Sequence, residues 1–258
     1  MTRTLNLRSR VELLKGSGQW DEVHQSRPLQ APATALLLCD TWDDHWCRSA
    51  ARRCDVLARR MDPVVAAARA TGIQIIHAPS DCMEFYCNTP QRQRMMALAP
   101  VEPPTIRQID EPPLPIDDSD GGCDDSPSPT MFRAWTRQHP AIRIDEPDAI
   151  SDSGSEIYSL LRMREITTLL IAGVHTNFCV LKRSFGIRQM TRWGMQCVLV
   201  RDLTDALYNP GLRPFVSHDT GTELVIHHIE QYLCPTIVSD DLVGPRTAID
   251  LDDGQETE

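Results

Sequence analysis

The hydrophobic pattern divides the chain into apolar runs alternating with amphipathic stretches. Residues 34–40, "TALLLCD", form a continuous apolar run ending in an acid, which predicts a strand buried on both faces. Residues 49–72 place Val56, Leu57, Met61, Val64, Val65 and Ala68 at helical spacing, and Gly72 closes the predicted helix. "IQIIHAPSD" (73–81) predicts a second strand leading into a polar loop. After a long irregular stretch the alternation resumes. It predicts a short strand at 141–144, a helix at 153–166 capped by Ser153 or Ser155, and a strand at 167–173. A helix at 177–194 closed by Gly194, a strand at 195–202, a helix at 220–233 and a last strand at 235–243 follow. Such alternation predicts a three-layer α/β/α Rossmann-like parallel sheet covered on both faces.

Three segments fall outside this pattern. Residues 1–33 alternate polar and apolar positions around "GSG" and predict an N-terminal arm or hairpin. Residues 82–140 are dominated by prolines and acids, so they read as a lid-like insertion within a domain spanning 34–244. The acidic stretch 245–258 reads as a disordered tail.

The formal net charge of −10 argues against nucleic acid or an anionic membrane as a partner. No run is long and apolar enough to span a bilayer, and the first residues lack a signal-peptide core. The nine cysteines are irregularly spaced with no CxxC, so they read as thiols of a reducing, cytoplasmic compartment.

Ligands of parallel α/β sheets gather at the carboxyl ends of strands. Asp40 ends the first strand, His77 and Asp81 lie at the end of the second, and "VHTN" leads from 167–173 to Cys179. Thr176 or Asn177 is a candidate N-cap, which puts Cys179 in a first helical turn where N–H groups favour a thiolate and can hold an oxyanion. Asp40 is then a candidate base for that thiol. The alternative for Cys179 is a small buried core residue. Trp42 and Trp46 flank the Asp40 loop, either as core or as walls of a pocket for a small planar molecule.

From about Ala35 to Val243 the sequence resembles the isochorismatase-like cysteine hydrolases, which include nicotinamidases, N-carbamoylsarcosine amidases and biuret and ureidoacrylate hydrolases. The resemblance rests on "ALLLCDTWDDHWC", on "LLIAGVHTNFCV" and on "GMQCVLVRDLTDAL". It implies Cys179 as nucleophile and Asp40 as its base. It also implies a non-proline cis peptide between Val174 and His175, with the amides of His175 and Cys179 as the oxyanion hole. A homo-oligomer acting on a small molecule is expected.

The resemblance further implies a lysine just after the third strand, where this chain reads "IRIDEPDAISDSG". The only lysines are Lys15, in the arm, and Lys182, three residues after the cysteine. Candidates for a substitute cation or for the pocket are Arg137, Arg133, His45, His175, His77 and Asn177. No metal or cofactor is expected. The Asp-x-His set of nicotinamidases is reduced here to His77 and Asp81, which read as a hydrogen-bonded loop pair. "DDSDGGCDD" lacks the spacing and closing glutamate of a calcium loop and reads as a solvated lid turn.

The expected activity is therefore hydrolysis of a C–N bond in a small amide or carbamoyl compound through a thioester. Two alternatives stand beside it. One is a non-catalytic member that binds a metabolite or a protein, and the other is an ether hydrolase of the isochorismatase type that does not use the cysteine.

Overall fold

Strand β3 (Thr34–Cys39) is buried at every position and alternates its side chains between two cores. Ala35, Leu37 and Cys39 face one core, and Leu36 and Leu38 face the other. The structure is a computed structural model and describes residues 3–243. The tail at 245–258 lies outside the described residues.

The elements run β1 (Thr4–Glu12), β2 (Trp20–Pro28), β3, α1 (Arg48–Ala70), β4 (Gln74–Ala78), α2 (Pro90–Met96), β5 (Ala149–Ile150) and α3 (Gly154–Met163). They continue with β6 (Thr168–Val174), α4 (Cys179–Lys182), α5 (Ile187–Arg192), β7 (Gln196–Asp205), α6 (His218–Tyr232), β8 (Thr236–Ile237) and α7 (Asp240–Val243). They build one sheet in the order β2-β1-β8-β7-β6-β3-β4-β5. Strands β8 to β5 are parallel, as the alternating pattern predicts, and β1 and β2 add an antiparallel hairpin at one edge. One face carries α1 and α7, and the other carries α3, α4, α5 and α6. The chain therefore has the expected three layers.

Three local expectations need correction. Residues 141–144 form no strand, because only Ile142 of that run is buried and Arg143 N–H donates to Asp62 at 2.9 Å. The strand beside β4 is β5, whose two residues are both buried. The expected helix 177–194 is two short helices, because Arg183 at the end of α4 is extended and Gly186 starts a new one. Ser184, in the break, packs on α3. Its hydroxyl accepts from the N–H of Gly154 at 3.0 Å, and a Cβ on Gly154 would sit 2.1 Å from its carbonyl oxygen. The last expected strand shrinks to β8 and is followed by α7.

Asp148 ties three elements together just before β5. It accepts from Arg69 of α1 at 2.7 and 2.9 Å, pairs with His77 of β4 at 3.0 Å, and accepts from the N–H of Asp145 at 2.8 Å. Burial pushes its carboxyl up, but the hydrogen bonds from His77 and Arg69 outweigh it and bring the pKa down to about 2. A folded-state value below the usual 3.8 means that the stabilisation is present at neutral pH and is lost as pH falls toward 2. Asp148→Asn is expected to lower stability by about 3 kcal/mol at neutral pH, since it strands a part-buried guanidinium. Urea unfolding at neutral pH and again near pH 2 tests this, and the difference between variant and wild type should shrink at the acid end.

Candidate functional site

The parallel arrangement brings the ends of β3, β4 and β6 side by side. β3 delivers Asp40, which has φ +45° and no solvent exposure. The left-handed backbone region is one that aspartate tolerates better than most residues. The neighbouring strand must come close here, and Gly173 of β6 makes that approach. Its φ is +117°, and a Cβ there would lie 2.0 Å from the carbonyl oxygen of Cys39. After Gly173 the Val174–His175 peptide is cis, and the chain turns into Cys179 at the start of α4.

Neither Thr176 nor Asn177 caps this helix. Thr176 Oγ1 pairs with Thr204 Oγ1 at 2.7 Å. Buried Asn177 exchanges hydrogen bonds with the backbone of Leu207 at 2.9 and 3.0 Å and donates to Asp118 at 3.1 Å. Both residues thereby anchor the Cys179 turn to β7 and to the loop after it.

The charges around Asp40 centre on an arginine absent from the sequence-derived candidates. Arg183 Nε donates to Asp40 Oδ2 at 2.8 Å, and its Nη2 donates to Asp81 Oδ2 at 2.9 Å. The other Asp40 oxygen accepts the N–H of Ser80 at 2.6 Å. Arg183 follows Cys179 by four residues, so one helical turn carries both side chains to the same face. That i, i+4 spacing was visible in the sequence. Lys182, at i+3, instead approaches Asp118 at 3.7 Å and lies over the Phe178 ring. The position just after β5, where the resemblance implies a lysine, is Ser151, whose hydroxyl donates to Glu156 at 2.5 Å.

The other cation candidates are placed elsewhere. Arg137 lies 4.0 Å from Asp43 and over the Phe85 ring, and Arg133 pairs with Glu84 at 3.1 Å. His45 and His175 face each other with ring centroids 4.9 Å apart. Burial pushes His45 down to about 4 and His175 to about 3, so both rings are neutral at physiological pH. His77 and Asp81 do not pair. His77 is held by Asp148 and by Gln138 at 2.8 Å, whereas Asp81 holds Arg183.

The Cys179 thiol and the Asp40 carboxyl interact, and each alters the other's titration. Burial pushes Asp40 up, while Arg183 and the Ser80 N–H pull it back down, leaving it above the usual carboxylate value. Burial, followed by the charge of Asp40, pushes the Cys179 thiol well up, against the opposing pull of Arg183 and the His175 N–H. A depressed thiol pKa was expected from the helix start. α4 has only four residues, so its dipole is small beside burial and a neighbouring carboxylate. Burial and the neighbouring Asp40 thus keep the Cys179 thiol in its protonated form.

Aromatic residues wall the site. Cys179 packs against Trp42, Cys82, Tyr86 and Ile150. Trp135, from the insertion, stacks on Trp42 with centroids 3.9 Å apart, and both indole N–H groups donate to the carbonyl of Ser80 at 3.1 Å. Trp46 belongs to a second cluster with Cys47, Cys123 and Leu207. Cys47 and Cys123 form a disulfide, a pairing that the irregular cysteine spacing did not indicate. Among the described residues, Cys47, Cys123 and Asp125 form a cluster of metal-ligand type, but its sulfurs are joined to each other. Asp125 is occupied as well, accepting the N–H groups of Arg48 and Ser49 at the start of α1.

No protein-family model and no curated protein matches this sequence. Solved structures do. A cysteine hydrolase from Pseudomonas syringae pv. phaseolicola 1448A is 14% identical with a TM-score of 0.51, over 84% of this chain and 93% of that one. An isochorismatase from Pseudomonas putida KT2440 is 13% identical with a TM-score of 0.50, over 83% of this chain and 91% of that one. With its mostly parallel sheet flanked by helices, this chain has the isochorismatase-like α/β fold.

Proposed function

We propose that this protein is a cysteine-dependent hydrolase that cleaves the C–N bond of a small amide or carbamoyl compound. The observation that carries this reading is the Arg183–Asp40 pair facing the Cys179 thiol. A fixed cation 2.8 Å from a fully buried carboxylate favours its ionised form, which a proton acceptor needs. Arg183 thus fills the role that the resemblance assigns to a lysine, and this weakens the case for a non-catalytic binder.

In this reading Asp40 takes the thiol proton as Cys179 Sγ attacks the acyl carbon. The backbone N–H groups of His175 and Cys179 receive the negative charge that develops on the carbonyl oxygen. As the C–N bond breaks, Asp40 gives the proton to the departing nitrogen, which leaves a thioester on Cys179. Water then attacks the thioester, Asp40 accepts its proton, and the thiol leaves with a proton as the acid is released. Arg183 acts as a positioned charge and carries no proton.

Rapid acid quench of the protein with a panel of small primary amides and carbamoyl compounds tests the covalent step. Intact-mass and peptide analysis should find an acyl group on Cys179 for any compound that is turned over. Turnover with no adduct, retained in full by Cys179→Ala, would reject the thioester.

A further inference from the structure

The acidic stretch 117–125 keeps Ser119 and Asp120 exposed, but it is docked at several points. Asp118 accepts from Asn177, and Asp120 accepts from Asn209 at 2.8 Å. Gly122 has φ +76° and lies so close to the Leu207 carbonyl that a Cβ would sit 2.1 Å from its oxygen. Asp124 pairs with Arg53 at 2.8 Å, and Asp125 caps α1 through the N–H groups of Arg48 and Ser49 at 2.6 and 3.1 Å. At the centre of this docked stretch, Cys123 is bonded to Cys47, seven residues after Asp40.

Trp135 joins this anchor to the reacting sulfur. It packs against the disulfide cluster of Trp46, Cys47, Cys123 and Leu207. It also packs, as Cys179 does, against the cluster of Trp42, Cys82, Tyr86 and Ile150. The residues between Cys123 and Trp135 contain no helix or strand, and Trp135 itself is held by stacking on Trp42 and by its indole bond to Ser80. The two ends of that stretch add to this hold. At the far end Asp43 accepts the N–H of Thr136 at 2.8 Å, and at the near end the disulfide closes the only covalent link.

We propose that the Cys47–Cys123 pair is a redox latch on the insertion: joined, it holds Trp135 beside Cys179 and restricts entry, and as two thiols it frees the insertion and opens the sulfur to small molecules. The opening reaction is thiol–disulfide exchange with a dithiol. One thiolate attacks a sulfur of the pair to form a mixed disulfide, and the second thiol of the reductant resolves it. Two electrons and two protons pass to Cys47 and Cys123, and the reductant becomes a cyclic disulfide. Both cysteines are buried, so exchange follows local opening of the 117–125 stretch, a motion of the kind that loops make below the global unfolding free energy.

The test is the rate at which iodoacetamide alkylates Cys179 at mildly alkaline pH, read at that residue by peptide mass. It is compared among the oxidised wild type, the wild type reduced with dithiothreitol, Cys123→Ser and Trp135→Ala. The reduced protein and Cys123→Ser should react about tenfold faster at Cys179 than the oxidised protein, a ratio typical of a modest local-opening equilibrium. Trp135→Ala should be fast whether oxidised or reduced. Equal or slower rates in the reduced wild type and in Cys123→Ser overturn the latch. Alkylation requires no turnover, so this result stands apart from the hydrolase reading, which fails separately if no substrate acylates the protein.

Discussion

Cys179→Ala is expected to lose about 10⁴-fold or more in kcat/KM on any amide that the wild type hydrolyses, with little change in fold. In the proposed reaction the sulfur forms the covalent intermediate, and no other thiol is placed to replace it. Of the seven free cysteines, Cys39, Cys54, Cys82, Cys197 and Cys234 are buried, and Cys87 is exposed. Cys179→Ser distinguishes loss of the nucleophile from loss of packing. Its hydroxyl fits the same space, but it is a far weaker nucleophile beside the same base, so its rate should fall almost as far as that of Cys179→Ala. Steady-state ammonia release with urea unfolding as a control checks both variants. A Cys179→Ala enzyme with undiminished turnover would remove the thiol from the reaction altogether.

Arg183→Ala is the second large effect, and it is expected to reduce turnover at neutral pH by roughly 10²- to 10³-fold. Asp40 is fully buried, and its own burial already pushes its carboxyl up. Removal of the guanidinium leaves the Cys179 thiol, and after it the Ser80 N–H, as the partners favouring the carboxylate. The carboxyl pKa then rises further, and a larger share of the protein carries a protonated base. The sign of the pH effect follows from this. A base must be ionised to act, so activity falls as pH drops through the Asp40 pKa. The acid limb of the kcat/KM profile should lie above the usual carboxylate range in the wild type and move to higher pH in Arg183→Ala. Arg183→Lys should recover part of the rate, because an ammonium supplies the charge but cannot bond Asp40 and Asp81 together as the planar guanidinium does. An acid limb unmoved by Arg183→Ala would show that Arg183 does not set the state of Asp40.

The neutral histidines sharpen this assignment. His45 and His175 lie nearer in sequence to Asp40 and Cys179 than any arginine of the insertion, and both were reasonable substitutes for a lysine. Burial makes their charged forms too costly at neutral pH. An arginine keeps its charge in the same surroundings. In the proposed mechanism this favours Arg183 over an imidazole as the cation beside Asp40.

The hydrophobic pattern alone was sufficient for the layered, mostly parallel sheet and for Asp40 and Cys179 at strand ends, but not for α2 inside the stretch that reads as irregular. Each follows from periodicity or from a position at a strand end, which are properties of short stretches of chain. Arg183 was also within reach of local reasoning, through its four-residue spacing from Cys179. The two-residue strand β5 and the break at 183–186 were not, because each depends on what a neighbouring element covers or excludes. Only the tertiary structure could bring Arg183 to Asp40 across 143 residues, join Cys47 to Cys123 across 76, and set Trp135 against Trp42. Contacts between distant segments are decided by the packing of whole layers and by the burial of charge, and no local pattern records either.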